Sequence, residues 1–260
     1  MALIEMKRGV VDVEPEGQGR NLVLLHSLLA EQSAFDSVRP VLAKTYRLWV
    51  VNLPGYGKSA PVGSTVEDYA DHIAELMAAL SLPPETDVLG NGLGGFIALA
   101  LAIRHGDKFD RLVIVDSLAV FPEAGKEPLR VLATMVREKG MAGVLDAAIL
   151  RMFPPPYIEA HPDVVSERKK ALLKMDPVTF SKLCIALTKV DFEPALSHIR
   201  NRALVMVGEK DGATPPELAF KLASGIPQAR FVQIPNCGHC PQIEQPETFV
   251  KILNEFLLTP

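Results

Sequence analysis

Four short, almost purely aliphatic runs, residues 22–25, 48–51, 112–115 and 203–207, do most to limit what this chain can fold into. They lack the in-out alternation of a strand with one wet face, and so read as strands covered on both sides. Helical patterns lie between them. From Ser64 onward, Val66, Tyr69, Ile73, Leu76, Met77 and Leu80 share one helix face, and Ser64 with Glu67 has the spacing of a capping box. Helices are also expected over 94–105, 215–224 and 246–257, the last opening with Pro246 at its first position. Alternation of this kind requires right-handed crossovers, hence an α/β fold with a mostly parallel, doubly wound sheet. Functional groups should then gather at the carboxyl ends of the strands.

The alternation stops between about 118 and 190, where helical segments carry Met, Leu and a Pro154-Pro155-Pro156 break before a strand resumes at Ala203. The expected organisation is an α/β core formed by 1–117 and 191–260, with 118–190 inserted as a helical cap. At 260 residues and 48% hydrophobic content the chain can bury one large core.

Charge narrows the range of partners. The chain has 27 Lys and Arg against 31 Asp and Glu, a net charge of −4, with no basic block to follow a phosphate backbone, so nucleic acid is excluded. The longest apolar run, 96–103, is too short to span a bilayer, and residues 1–10 lack a signal-peptide apolar region. Cys184, Cys237 and Cys240 are too few for a disulfide framework. A cytoplasmic protein without a membrane association is expected, its oligomeric state unspecified.

Residues 87–96 read Asp-Val-Leu-Gly-Asn-Gly-Leu-Gly-Gly-Phe, a strand, a sharp turn and a helix start. That is the setting of the Gly-x-Ser-x-Gly nucleophile elbow, with Gly92 where the serine would stand. Taken alone, the string also fits a dinucleotide loop. Two later segments decide between these: Val-Gly-Glu-Lys-Asp at 207–211, ending a strand, and Asn-Cys-Gly-His-Cys-Pro at 236–241, after the last strand. The chain order becomes elbow, Asp211, His239.

On these motifs the sequence resembles the α/β-hydrolase superfamily over essentially its whole length. It is similar to the branch of enol-lactonases, ring-fission-product hydrolases and small esterases. Leu24-Leu25-His26-Ser27 matches the family's His-Gly oxyanion strand, 52–59 its Pro-Gly-x-Gly-x-Ser loop, and Gly238-His239 is followed by Glu244 and Pro246. The resemblance implies His239 as general base, Asp211 as its orienting carboxylate, and the amides of Leu28 and Leu93 as oxyanion donors, with Ser27 and Asn91 beside them in the oxyanion and substrate region. Two positions depart from the pattern. Ser27 replaces the usual glycine, and Gly92 replaces the nucleophile.

A residue at the elbow usually holds a sparsely populated backbone geometry, at about 1–3 kcal/mol, which glycine largely escapes. Loss of the side chain is expected to open a space beside His239 for a water, which the dyad would activate without a covalent intermediate. The leading expectation is therefore a hydrolase or lyase acting on a small organic substrate. A silent ligand-binding protein and an inactivated Gly92 variant of a serine hydrolase are its rivals. No metal and no cofactor is expected.

Other residues receive blander readings. Ser27 as a displaced nucleophile ranks below Ser27 as a small turn residue. Cys237 and Cys240 have CxxC spacing, but follow the last strand and read as packing. His26, His72, His105, His161 and His198 are isolated and receive no role, and Asp116 stands where some relatives carry an alternative acid.

Overall fold

The computed structural model describes residues 2–259. Its strands are β1 (Ala2–Ile4), β2 (Val11–Glu16), β3 (Arg20–Leu25), β4 (Tyr46–Val51), β5 (Asp87–Asn91), β6 (Arg111–Val115), β7 (Arg202–Gly208) and β8 (Ala229–Ile234). They form one eight-stranded sheet in the order β1-β2-β4-β3-β5-β6-β7-β8. The pairs β1–β2 and β2–β4 are antiparallel, and every pair from β4 to β8 is parallel. The four aliphatic runs lie inside β3, β4, β6 and β7.

Those strands are apolar on both faces because each face meets helices. Leu22, Leu24, Leu89, Val113 and Leu204 enter one core with Phe249 and Leu253 of α11 (Pro246–Leu257). Val23, Leu25, Val88, Leu112 and Val205 enter the other with α2 (Val66–Ala79), α3 (Leu93–His105) and α9 (Pro216–Gly225). The remaining core helices, α1 (Arg39–Leu42) and α10 (Pro241–Glu244), are short. Such a sheet aims its carboxyl ends at one edge of the molecule, where a site forms.

The cap of α2 differs from the expected one. Thr65 is the N-cap residue, its hydroxyl accepting from the Asp68 amide, while Asp68 accepts from the amides of Ser64 and Thr65 at 2.8 and 3.0 Å. The box lies one residue later than Ser64 with Glu67 because Thr65 takes the extended backbone the N-cap needs.

Between β6 and β7 the chain forms α4 (Glu123–Lys139), α5 (Leu145–Met152), α6 (Pro155–Ala160), α7 (Pro162–Leu172) and α8 (Pro177–Leu187). Pro155 opens α6, so the proline run starts a helix there. Val120 pairs with Asp191 in an antiparallel bridge, and the Phe192 amide donates to the Ala119 carbonyl at 3.0 Å, joining the points where this segment leaves and rejoins the core. Among the described residues no helix is long and apolar enough to cross a membrane.

Candidate active site

Gly92 links β5 to α3 with φ 53° and ψ −116°, a conformation that side-chain-bearing residues rarely hold. The turn is tight. A Cβ at Gly94 would press into the Leu25 carbonyl, and the Gly94 amide donates to the His26 carbonyl at 3.0 Å, drawing the helix start against the end of β3. A Cβ built on Gly92 would overlap the Ser27 Oγ and come within 2.9 Å of His239 Nε2 and 3.0 Å of Ser27 Cβ. The Ser27 hydroxyl thus occupies the Cβ position itself, and the space left beside His239 is a small pocket next to it.

His239 follows β8 and Asp211 follows β7. The His239 Nδ1–H donates to Asp211 Oδ2 at 2.8 Å, which leaves Nε2 as the free base facing Gly92. Asp211 Oδ2 also accepts from the Thr214 hydroxyl, and Oδ1 accepts from the amides of Ala213 and Thr214 at 2.7 and 3.0 Å. Burial works to raise the Asp211 carboxyl, but the imidazole and the Thr214 donors outweigh it and hold it below the usual carboxylate range. The His239 amide donates to the Met152 carbonyl at the end of α5 at 3.1 Å, and Glu244 accepts from the amides of Gly238 and Cys240. The loop is thus pinned from two sides.

Asp116, at the end of β6, has φ 48°, and its Oδ1 accepts from the Gly208 amide at 2.8 Å. Its other oxygen is buried without a donor. Burial, and then the neighbouring Asp211, push this carboxyl well above its ordinary range. Ligand atoms of Asp116, Asp211 and His239 lie within 4.8 Å of one another, the spacing of a cation site. The upward push on the Asp116 carboxyl and the hydrogen bonds already held by Asp211 disfavour a cation there.

The amides of Leu28 and Leu93 meet no carbonyl among the described residues, and both residues line a pocket of about 30 Å³ with Ser27, Gly92 and His239. Phe96, Phe121, Leu129 and Leu187 form apolar walls, and Arg151 of α5 contributes a cation. Asn91 is a correction to the expected binding set. Fully buried, it does not line the pocket. Its Nδ2 donates to the His239 carbonyl at 3.1 Å and its Oδ1 accepts from Gln242 Nε2 at 3.1 Å, because a strand residue preceding the turn points away from the turn's exposed side.

Two residues without an assigned role prove structural or electrostatic parts of the site. His26 is fully buried and, held to about pKa 4 by that burial, neutral; Nδ1–H donates to the Ser27 carbonyl at 2.9 Å and Nε2 accepts from the Leu53 amide at 3.0 Å. Arg151 makes no ion pair with any described residue, and burial lowers its pKa from the ordinary value. Isolation in sequence hid both. The thiols of Cys184, Cys237 and Cys240 are buried and free, and burial raises each, which suits packing more than redox chemistry.

The chain is similar to known proteins along nearly its full length. It is 28% identical to the pimeloyl-[acyl-carrier protein] methyl ester esterase of Nitrosomonas europaea, over 92% of this chain and 96% of that one. The crystal structure of the enol-lactonase from Burkholderia xenovorans superimposes with a TM-score of 0.93 at 26% identity, covering 99% of this chain and 100% of that chain. A thermophilic esterase from Thermogutta terrifontis, in a malate-bound structure, gives 0.90 at 28% identity over 99% and 97%. The sequence profile described as the alpha/beta hydrolase family matches residues 22–252, and with the elbow, Asp211 and His239 in that fold's order, the chain belongs to the alpha/beta hydrolase family.

Proposed function

We propose that this protein hydrolyses small esters or lactones with His239 as general base, Asp211 as its orienting carboxylate, and the Leu28 and Leu93 amides as oxyanion donors. The elbow supplies no side-chain nucleophile. The observation that carries this reading is the 2.8 Å bond from His239 Nδ1–H to Asp211, which turns Nε2 into the pocket beside two amides without carbonyl partners. General-base assistance contributes about 10²–10⁴-fold, and one oxyanion donor about 10²–10³-fold.

The relatives support ester or lactone chemistry, since those named are esterases and an enol-lactonase. Arg151 favours a substrate bearing an anionic group, because a half-sequestered guanidinium without a carboxylate partner gains most from one brought by the ligand. Residues 118–190 act as the cap over this pocket. At about 30 Å³ the pocket has room for little more than water, so a substrate enters by displacing cap side chains. The three free, buried cysteines suit a cytoplasmic setting.

The test is turnover of short p-nitrophenyl esters and a panel of simple lactones by the wild type and His239→Ala. A loss of at least about 10²-fold in kcat/KM, with an unchanged circular dichroism spectrum, is expected. Background rates in both proteins, alongside ligand binding that survives the substitution, would instead support a silent receptor.

A further inference from the structure

The two departures from the family pattern are complementary. Where the family has glycine after the oxyanion-strand histidine and serine at the elbow, this chain has Ser27 and Gly92. The structure places the Ser27 hydroxyl over the spot the missing Cβ would occupy, and His239 Nε2 lies 2.9 Å from that same spot. No side chain fits at 92 while Ser27 keeps this rotamer. We propose that Ser27 is the nucleophile of this enzyme, its hydroxyl having replaced that of residue 92. The proposal rests on the reading of His239 as the base of an ester or lactone hydrolase.

Three further observations fit a nucleophile better than a turn residue. Ser27 lines the pocket with His239, its hydroxyl and His239 Nε2 both approach the Gly92 Cβ position, and the proton transfer to Nε2 requires a rotation of the hydroxyl from the rotamer seen here, in which the two are not hydrogen-bonded. Its backbone is held firmly: the Ser27 carbonyl accepts from His26 Nδ1–H at 2.9 Å and from the Ala30 amide at 3.2 Å. Finally, the local relation between nucleophile and oxyanion hole is retained. In the family the amide following the nucleophile is an oxyanion donor. Here the amide following Ser27 is that of Leu28, which meets no carbonyl, and the Leu93 amide still faces the same pocket.

The chemistry balances with water as the only co-reactant. As Ser27 Oγ forms its bond to the ester carbonyl carbon, its proton passes to His239 Nε2 and the carbonyl electron pair moves onto the oxygen held by the amides. Collapse breaks the bond to the alkoxy group, which takes the proton from His239 and leaves as alcohol. Water then attacks the acyl group on Ser27, giving a proton to His239, and cleavage of the Ser27 ester returns that proton to Oγ and releases the acid.

The experiment is acid quenching of the wild-type protein during p-nitrophenyl acetate turnover, followed by peptide mass mapping, in parallel with labelling by a fluorophosphonate. The expected result is one acetyl and one phosphonyl group per chain on Ser27, both absent from Ser27→Ala and His239→Ala. The Ser27→Ala kcat should fall by at least about 10³-fold. Ser27→Gly, which installs the residue the family uses, guards against a folding defect in the alanine variant and should lose the same activity. Turnover that depends on His239, with no adduct on Ser27 and most of kcat retained by Ser27→Gly, would overturn the nucleophile while leaving the hydrolase reading intact, with water attacking. Absence of both turnover and labelling would overturn the two together.

Discussion

Ser27 and His239 converge on one point, the position of the Cβ that residue 92 lacks, with Ser27 Cβ 3.0 Å and His239 Nε2 2.9 Å away from it. Gly92→Ser therefore has a steric consequence as well as a conformational one. The new side chain must hold φ near 53° and also force the Ser27 hydroxyl into another rotamer. The single variant should lose about 1–3 kcal/mol of stability and fall below the wild type in esterase activity, because the Ser27 hydroxyl is displaced. Adding Ser27→Gly removes the obstacle, so the double variant should hydrolyse p-nitrophenyl esters much faster than Gly92→Ser alone and recover part of the stability. Urea unfolding and kcat/KM on all four members of the cycle give the coupling. Additive effects would show that the two sites do not share space.

Asp211→Asn keeps the shape of the side chain but replaces one acceptor oxygen with an amide donor. The imidazole Nδ1 must then accept, which places the proton on Nε2 and removes the base from the pocket. A fall in kcat of about 10³–10⁴-fold is expected, with KM changed much less. A variant retaining a tenth of wild-type kcat would show that Asp211 does not set the tautomer.

The fold was legible because the aliphatic runs of β3, β4, β6 and β7 carry a signal that parallel, doubly covered strands cannot avoid. β1 and the exposed edge strand β8 carry no such run, since a half-solvated edge imposes no apolar demand on both faces. That Gly92, Asp211 and His239 come together was legible from local motifs and their order. The closeness of the Ser27 hydroxyl to Gly92 was not, which left Ser27 ranked as a turn residue in the sequence, because it arises from parallel pairing of β3 with β5, which brings residues 25 and 90 into register. Asn91 misled for a related reason. Its neighbours in sequence line the pocket, while its own side chain turns toward Gln242.

Asp116 gives the protein a pH-dependent liability. Its carboxyl ionises near pH 3.9 in an unfolded chain, but burial and Asp211 hold its folded value well above that. Between the two values the folded state keeps a proton that the unfolded state has released, so stability falls as pH rises, by up to about 1.4 kcal/mol per pH unit from this group. Asparagine can accept from the Gly208 amide and donate to Asp211 at every pH. Asp116→Asn should match the wild type in stability near pH 4 and exceed it increasingly toward pH 7, as urea unfolding across that range would show. A gap that does not change with pH would mean that Asp116 is ionised in the folded protein.

Arg151 tests the substrate class independently of the nucleophile. Arg151 lines the His239 pocket with Phe121, Leu129 and Leu187 and forms no ion pair with a described residue, though Asp211 acts on it at longer range. Arg151→Met keeps most of the apolar stem and removes only the charge and the donors. If the cation receives an anionic substituent, the variant should raise KM for the monomethyl ester of a short dicarboxylic acid by about 10–100-fold, the worth of one charge-assisted hydrogen-bonded pair at about 1.5–3 kcal/mol. The neutral dimethyl ester should be affected by less than about threefold, and kcat should stay near the wild-type value for both, because Arg151 binds at a distance from the bond that breaks. Wild-type discrimination in favour of the monoester should shrink by the same factor as KM rises. Equal effects on charged and neutral esters would assign Arg151 to packing of α5 and leave the substrate's charge unspecified.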